Sequence, residues 1–120
     1  MKVTFLSLDD EKNKVFFESE ASKQGNEIIF IDKTSTNTTI EMTVNEDEVK
    51  MVRTGTVNST MVFSITKKTK GNYNNEMGLE FDFDIHCTRL EVSKNKILIH
   101  YTLILDEFMK TNHKISLLLN

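Results

Sequence analysis

The chain has 120 residues, a net charge of −3 and one cysteine. The length fits a single domain, residues 1–120, that buries about two-thirds of its unfolded surface. The charge offers no basic face for nucleic acid or for an anionic membrane. Cys87 has no intramolecular partner, which suits a reducing compartment. Neither a secretory leader nor an apolar run near the roughly 18 residues of a membrane span is present, so a cytoplasmic location is expected. Thirteen Lys beside two Arg, with eleven Asn and no Pro, point to an AT-rich bacterial genome.

Period-two alternation runs through nearly the whole chain, and helical periodicity is almost nowhere. Strands are expected near 2–8, 13–20, 26–33, 37–44, 48–54, 59–67, 78–91, 96–106 and 112–119. Short polar breakers separate them, among them "DDEKN", "SKQGN", "NEDE" and "SKN". Strands so closely spaced leave no room for parallel crossovers. The reading is all-β, one antiparallel meander closed as a barrel of about 8–10 strands. The stretch 67–78, "KKTKGNYNNEMG", reads as a loop or a short strand. Its three lysines are a thin case for tracking nucleic acid on a chain of negative charge.

Parity assigns the inward face. Phe17, Phe30, Met42, Met51, Phe63 and Leu117 represent it on successive strands. Ile65, Leu79, Phe81, Phe83, Ile85 and Leu105 extend the same parity to strand ends, and Leu98 and Ile104 fall on the outer one.

The segment "MGLEFDFDIHC", residues 77–87, places Glu80, Asp82, Asp84 and His86 on one face. Alternate strand residues sit about 6.6 Å apart, so Glu80 and His86 are about 20 Å apart and cannot share one ion. The inward parities require position 86 to pair with 100 or 102, which would set His86 beside His100 on the outer surface. That ladder reads as a solvated face, and no metal or cofactor is expected. Cys87 points opposite to His86 and reads as a small core residue. No nucleophile–base pair is visible, so catalysis is the least supported class.

Arg53, in "EVKMVRTG", shares inward parity with Val49 and Met51 and should face the interior near one barrel end. A guanidinium there needs acceptors, either carbonyls or a carboxylate where it closes the barrel mouth, or the carboxylate or phosphate head group of a ligand. Tyr101, also inward, can offer a hydroxyl to the same place.

"VKMVRTG", "MVFSI", "MGLEFDFDIHCTRL" and "NKILIHYTLIL" occur in an order that resembles the YwiB-like family of small bacterial proteins. The shared features are Arg53 and Gly55, Met61 and Phe63, Tyr73 and Gly78, and a hydrophobic strand carrying Tyr101. The likeness runs from about residue 37 to 119, and more loosely from Thr4 to Lys33. It implies a calycin-type, lipocalin-like barrel and carries over no catalytic residues.

The leading functional expectation is non-catalytic binding of a small, partly apolar ligand in or at the mouth of the barrel. Arg53 and Tyr101 would be its polar contacts, with Met51, Phe63 and Phe83 as apolar ones. The alternative is a protein–protein or structural module, including a homodimer, that uses an outer face around Leu98 and Ile104.

Overall fold

The computed structural model describes residues 1–120. It contains ten strands: β1 (Lys2–Asp9), β2 (Lys14–Gln24), β3 (Glu27–Ile31), β4 (Thr39–Val44), β5 (Glu48–Thr54), β6 (Val57–Ser64), β7 (Thr69–Asn75), β8 (Glu80–Val92), β9 (Lys96–Ile104) and β10 (Lys110–Leu119). Each is antiparallel to the next, and β10 seals against β1 to close the barrel. The alternation explains this arrangement: one parity of every strand is oil-facing, and a closed sheet buries all of it while leaving no unpaired edge. A single cluster of 20 buried side chains forms the core of the barrel.

The outer positions carry charge, with Glu18, Glu20, Glu41 and Lys50 all exposed. That is the reverse of a lipid-facing barrel, whose outer band is apolar. No helix is long and apolar enough to cross a membrane.

Four details depart from the reading by parity. The stretch 67–78 contains a full strand, β7, paired to both β6 and β8. Its alternation is masked because one inward position is Gly71: a Cβ there would lie 2.6 Å from the ring of Phe83, its partner in register. Ile65, Leu79 and Leu105 are exposed rather than inward, because β6, β8 and β9 end before reaching them and parity loses meaning where pairing stops. Leu98 and Ile104 are half-buried, and the more open apolar side chains of the wall include Phe16, Ile31, Leu118 and Ile29.

The fourth departure is a bulge in β8 between Cys87 and Arg89, which leaves Thr88 unpaired. It reverses the parity beyond it, so Leu90 and Val92 pack on the core. The extra residue also moves the histidines apart, since His86 pairs with Thr102 and His100 with Arg89.

The barrel has two unlike ends. The base gathers both termini and the turns after β2, β4, β6 and β8. The mouth gathers those after β1, β3, β5, β7 and β9.

Candidate functional site at the barrel mouth

Inward positions toward the base are filled by Val3, Ile28, Met42, Val49, Phe63 and Leu117, all at most 1 % exposed. Toward the mouth the inward residues include Ser7 and Ser59, which are too short to meet across the lumen. A cavity of about 300 Å³ results, between apolar walls from Phe5, Met51, Met61, Phe81 and Phe83 and polar groups that include Arg53, Ser59 and Tyr101.

Arg53 lies on β5 opposite Ser59 of β6. Its Nε stands 3.5 Å from Oδ2 of Asp32, a carboxylate only 2 % exposed at the end of β3. The other oxygen of Asp32 accepts the Thr34 backbone N–H at 2.9 Å and the Thr34 hydroxyl. Arg53 is thus the structural counter-ion that a buried carboxylate needs, since removing one partner of such a pair costs about 3–5 kcal/mol. The ion pair satisfies the guanidinium incompletely. Nε of Arg53 and Oγ of Ser59 are both buried without a hydrogen-bond partner.

Gly55, two residues beyond Arg53, has φ 142°, and a Cβ there would fall 1.9 Å from the Asn37 carbonyl oxygen. Only glycine lets the 32–38 loop cross so closely over the β5–β6 turn. The Arg53-Thr54-Gly55 triplet therefore works as a unit. The glycine seats the loop, and the arginine neutralises the aspartate that the loop brings in.

Tyr101 is 7 % exposed, its ring between Phe63 at 4.8 Å and His113 at 4.9 Å, the latter nearly parallel at 13°. Burial pushes its phenol up to about 12, against the opposing pull of the Arg53 cation. The hydroxyl is therefore neutral, and a donor, at any ordinary pH. His113 faces inward from β10 beside it. Burial holds the imidazole below its ordinary value, outweighing the upward pull of Asp9 and Asp10. Its Nε2 is 2.7 Å from the Thr111 hydroxyl. At the rim, Asp9 is held below the usual carboxylate range by Asn13 and accepts from Glu11 N, Asn13 N and Asn13 Nδ2.

Of the residues singled out from the sequence, Arg53, Tyr101, Met51 and Phe83 line this cavity together. Phe63 does not: it is fully buried one layer deeper and supports the Tyr101 ring. Asp32, Ser59 and His113 were not apparent. Ser59 and His113 share the inward parity of Met61 and Ile115, a signal available in the sequence. Asp32 reaches Arg53 only through a loop crossing that alternation does not encode.

The acid ladder lies on the outer wall, with Asp82 and Asp84 exposed and Lys70 3.3 Å from Asp84. A shallow concavity of about 450 Å³ runs there among Thr60, Lys70 and Asn72, larger than the mouth cavity but open to solvent. Cys87 is 4 % exposed, and its Sγ donates to the Arg89 carbonyl at 3.4 Å. Burial raises the thiol above its ordinary value, the opposite of what activates a nucleophile.

With the barrel and its mouth described, the comparison with known proteins is direct. Residues 6–117 match the family described as Domain of unknown function (DUF1934), and the chain belongs to that family. Its fold is similar to the crystal structure of the ywiB protein from Bacillus subtilis, with TM-score 0.64 and 16 % identity, over 99 % of this chain and 90 % of that one. The YwiB-like membership expected from Arg53, Gly55 and the motifs that follow them is thereby met, and at that identity the likeness establishes the fold. A search of curated proteins finds no match.

Proposed function

We propose that the mouth of the barrel binds a small, partly apolar molecule without transforming it. The observation that carries this reading is a cavity of about 300 Å³ lined by the inward side chains at the mouth, with two buried donor atoms at its edge that make no hydrogen bond, Nε of Arg53 and Oγ of Ser59. A buried unpartnered donor costs about 1–3 kcal/mol, which a ligand carrying acceptors recovers. Ligand sites are concave and mainly apolar with a few convergent polar groups, from about 300 Å³ upward. Barrels of lipocalin type can hold one small molecule.

Native mass spectrometry of the protein purified from the cells that make it tests the proposal. A bound species that is released on activation, and lost in a variant carrying Arg53→Gln together with Asp32→Asn so that no lone charge is left buried, is the expected result. A bare chain, together with no thermal shift from any compound in a library of small aromatic and aliphatic acids, overturns it.

One observation favours a second reading, a protein–protein module. A row with three apolar members, interrupted by Ser116, crosses four strands of the outer wall: Leu6 pairs with Phe16 on β2 and with Ser116 on β10, and Ser116 pairs with Leu98 on β9. Phe16 is 59 % exposed. A dimer in the same spectra that Phe16→Asp disperses would support this reading over the first.

A further inference from the structure

We propose that the ligand taken by the mouth is a small aromatic acid, with its carboxylate received by Arg53 and Ser59. This rests on the reading of the mouth as a ligand site and adds the chemistry that the site selects.

The head-group assignment follows from a count of donors and acceptors. Arg53 is the one lysine or arginine that lines the cavity. It stands opposite Ser59 across one strand pairing, and each has a buried donor atom that makes no hydrogen bond, Arg53 Nε having only the 3.5 Å ion pair to Asp32. Ser59 is only 5 % exposed. The resident acceptors are occupied elsewhere. Asp9 already receives three hydrogen bonds from its own turn, and Asp32 turns one oxygen to Thr34. Tyr101, kept neutral by burial, adds a further hydroxyl within the reach of the Arg53 charge. Donors in excess, with one cation among them, call for an oxyanion, and a carboxylate matches the planar guanidinium fork. A doubly charged phosphate fits less well, since Asp9 lines the same cavity and Asp32 already shares the arginine.

The body of the ligand follows from the walls. Tyr73 stacks on Phe81 at 5.1 Å, and Phe81 lies 6.0 Å from Phe83. On the adjoining strands β9 and β10 of the same wall, Tyr101 and His113 form a second stacked pair. A continuous wall of flat rings favours a flat guest laid against it through offset and edge-to-face contacts. The base beneath is filled by Phe63 and its neighbours, so a long alkyl chain has nowhere to extend.

Matched probes test this by titration calorimetry: 2-naphthoate, its neutral isostere 2-naphthamide, and decanoate. Naphthoate should bind about 10-fold or more tightly than naphthamide, because a site built around unpaired donors rejects the analogue that cannot satisfy them. Ser59→Ala removes a hydroxyl that has no partner, so it should fold normally. It should weaken naphthoate several-fold and leave naphthamide unchanged. Arg53→Gln paired with Asp32→Asn, which leaves no lone buried charge, should erase the preference. Equal affinity for naphthoate and naphthamide overturns the carboxylate assignment while leaving a ligand site in place. Decanoate binding more tightly than naphthoate overturns the aromatic assignment. Failure of all three probes to bind would count against the mouth as a ligand site altogether.

Discussion

The base and the mouth of this barrel are made from the same ten strands with the same alternation, yet they are packed differently. At the base, branched and aromatic side chains from facing strands meet, and the remaining concavity of about 210 Å³ lies among the end turns around Gly25 and Ser93. At the mouth, Ser7, Ser59 and a half-open ring of aromatics leave a chamber that Arg53 and Asp32 border on one side. The contrast shows that alternation by itself specifies a closed sheet, while the size of the inward residues at each level decides whether the sheet encloses a core or a container. The polar groups gather at the hollow end, where their desolvation is less costly and a guest can reach them.

Truncations should separate the two ends. Phe63→Ala, at a fully buried base position, is expected to cost about 3–5 kcal/mol of stability in urea unfolding. Phe81→Ala, half-buried at the chamber wall, should cost only about 1–2 kcal/mol, since less apolar surface returns to water. Equal losses would mean that the mouth is packed like the base. Gly55→Ala falls between them, at about 1–3 kcal/mol, because the Asn37 carbonyl 1.9 Å from the new Cβ must move or the backbone must strain. An unchanged melting temperature would refute the close crossing of the 32–38 loop.

Titrations probe the hollow end more finely. With the folded phenol of Tyr101 at about 12 against an ordinary 10.0, the unfolded chain ionises first as the pH rises. Its contribution is complete below 10 and disappears as the pH climbs toward 12. Tyr101→Phe should flatten that alkaline loss, and phenolate absorbance should show a late-titrating tyrosine. For His113 the folded pKa lies below the ordinary 6.5, so the unfolded chain takes up its proton first on acidification. Stability is complete above that pH and declines below it, and His113→Gln should reduce the decline. Part of the slope should persist, because burial and the neighbouring Lys114 and Arg89 also lower His100. The smallest change expected is for Ser59→Ala: no loss, or a gain of a few tenths of a kcal/mol from deleting an unpartnered hydroxyl. A loss above 1 kcal/mol would show that Oγ is satisfied in solution.

Much of the fold was legible because alternation is a direct record of which atoms face water. It placed Arg53, Tyr101, Met51 and Phe83 on the inner wall, and it put Cys87 in the core and Asp82 and Asp84 outside. It failed where pairing and parity part company. Gly71 has no side chain to reveal its strand, the bulge at Thr88 reverses the pattern beyond it, and Ile65, Leu79 and Leu105 each lie one residue outside a strand. The candidate site was half visible for a related reason. Sequence shows that Arg53 needs a partner, but the partner, Asp32, arrives across a turn whose geometry depends on a glycine 23 positions later. His113 was overlooked because a histidine next to lysine reads as surface, although its parity matched Ile115.

The closure of the meander has a consequence for how the chain assembles. Nine of the ten strand pairings join sequence neighbours, and only β1 with β10 spans the chain. Hairpins can therefore zip in succession, each with a short loop to close, while the final seam waits for both extremities to meet. Until then the nascent sheet carries two raw margins of unsatisfied amides. The seam between Val3 and Leu119 is where a slow-folding or overexpressed chain would recruit a second molecule in place of its own tail.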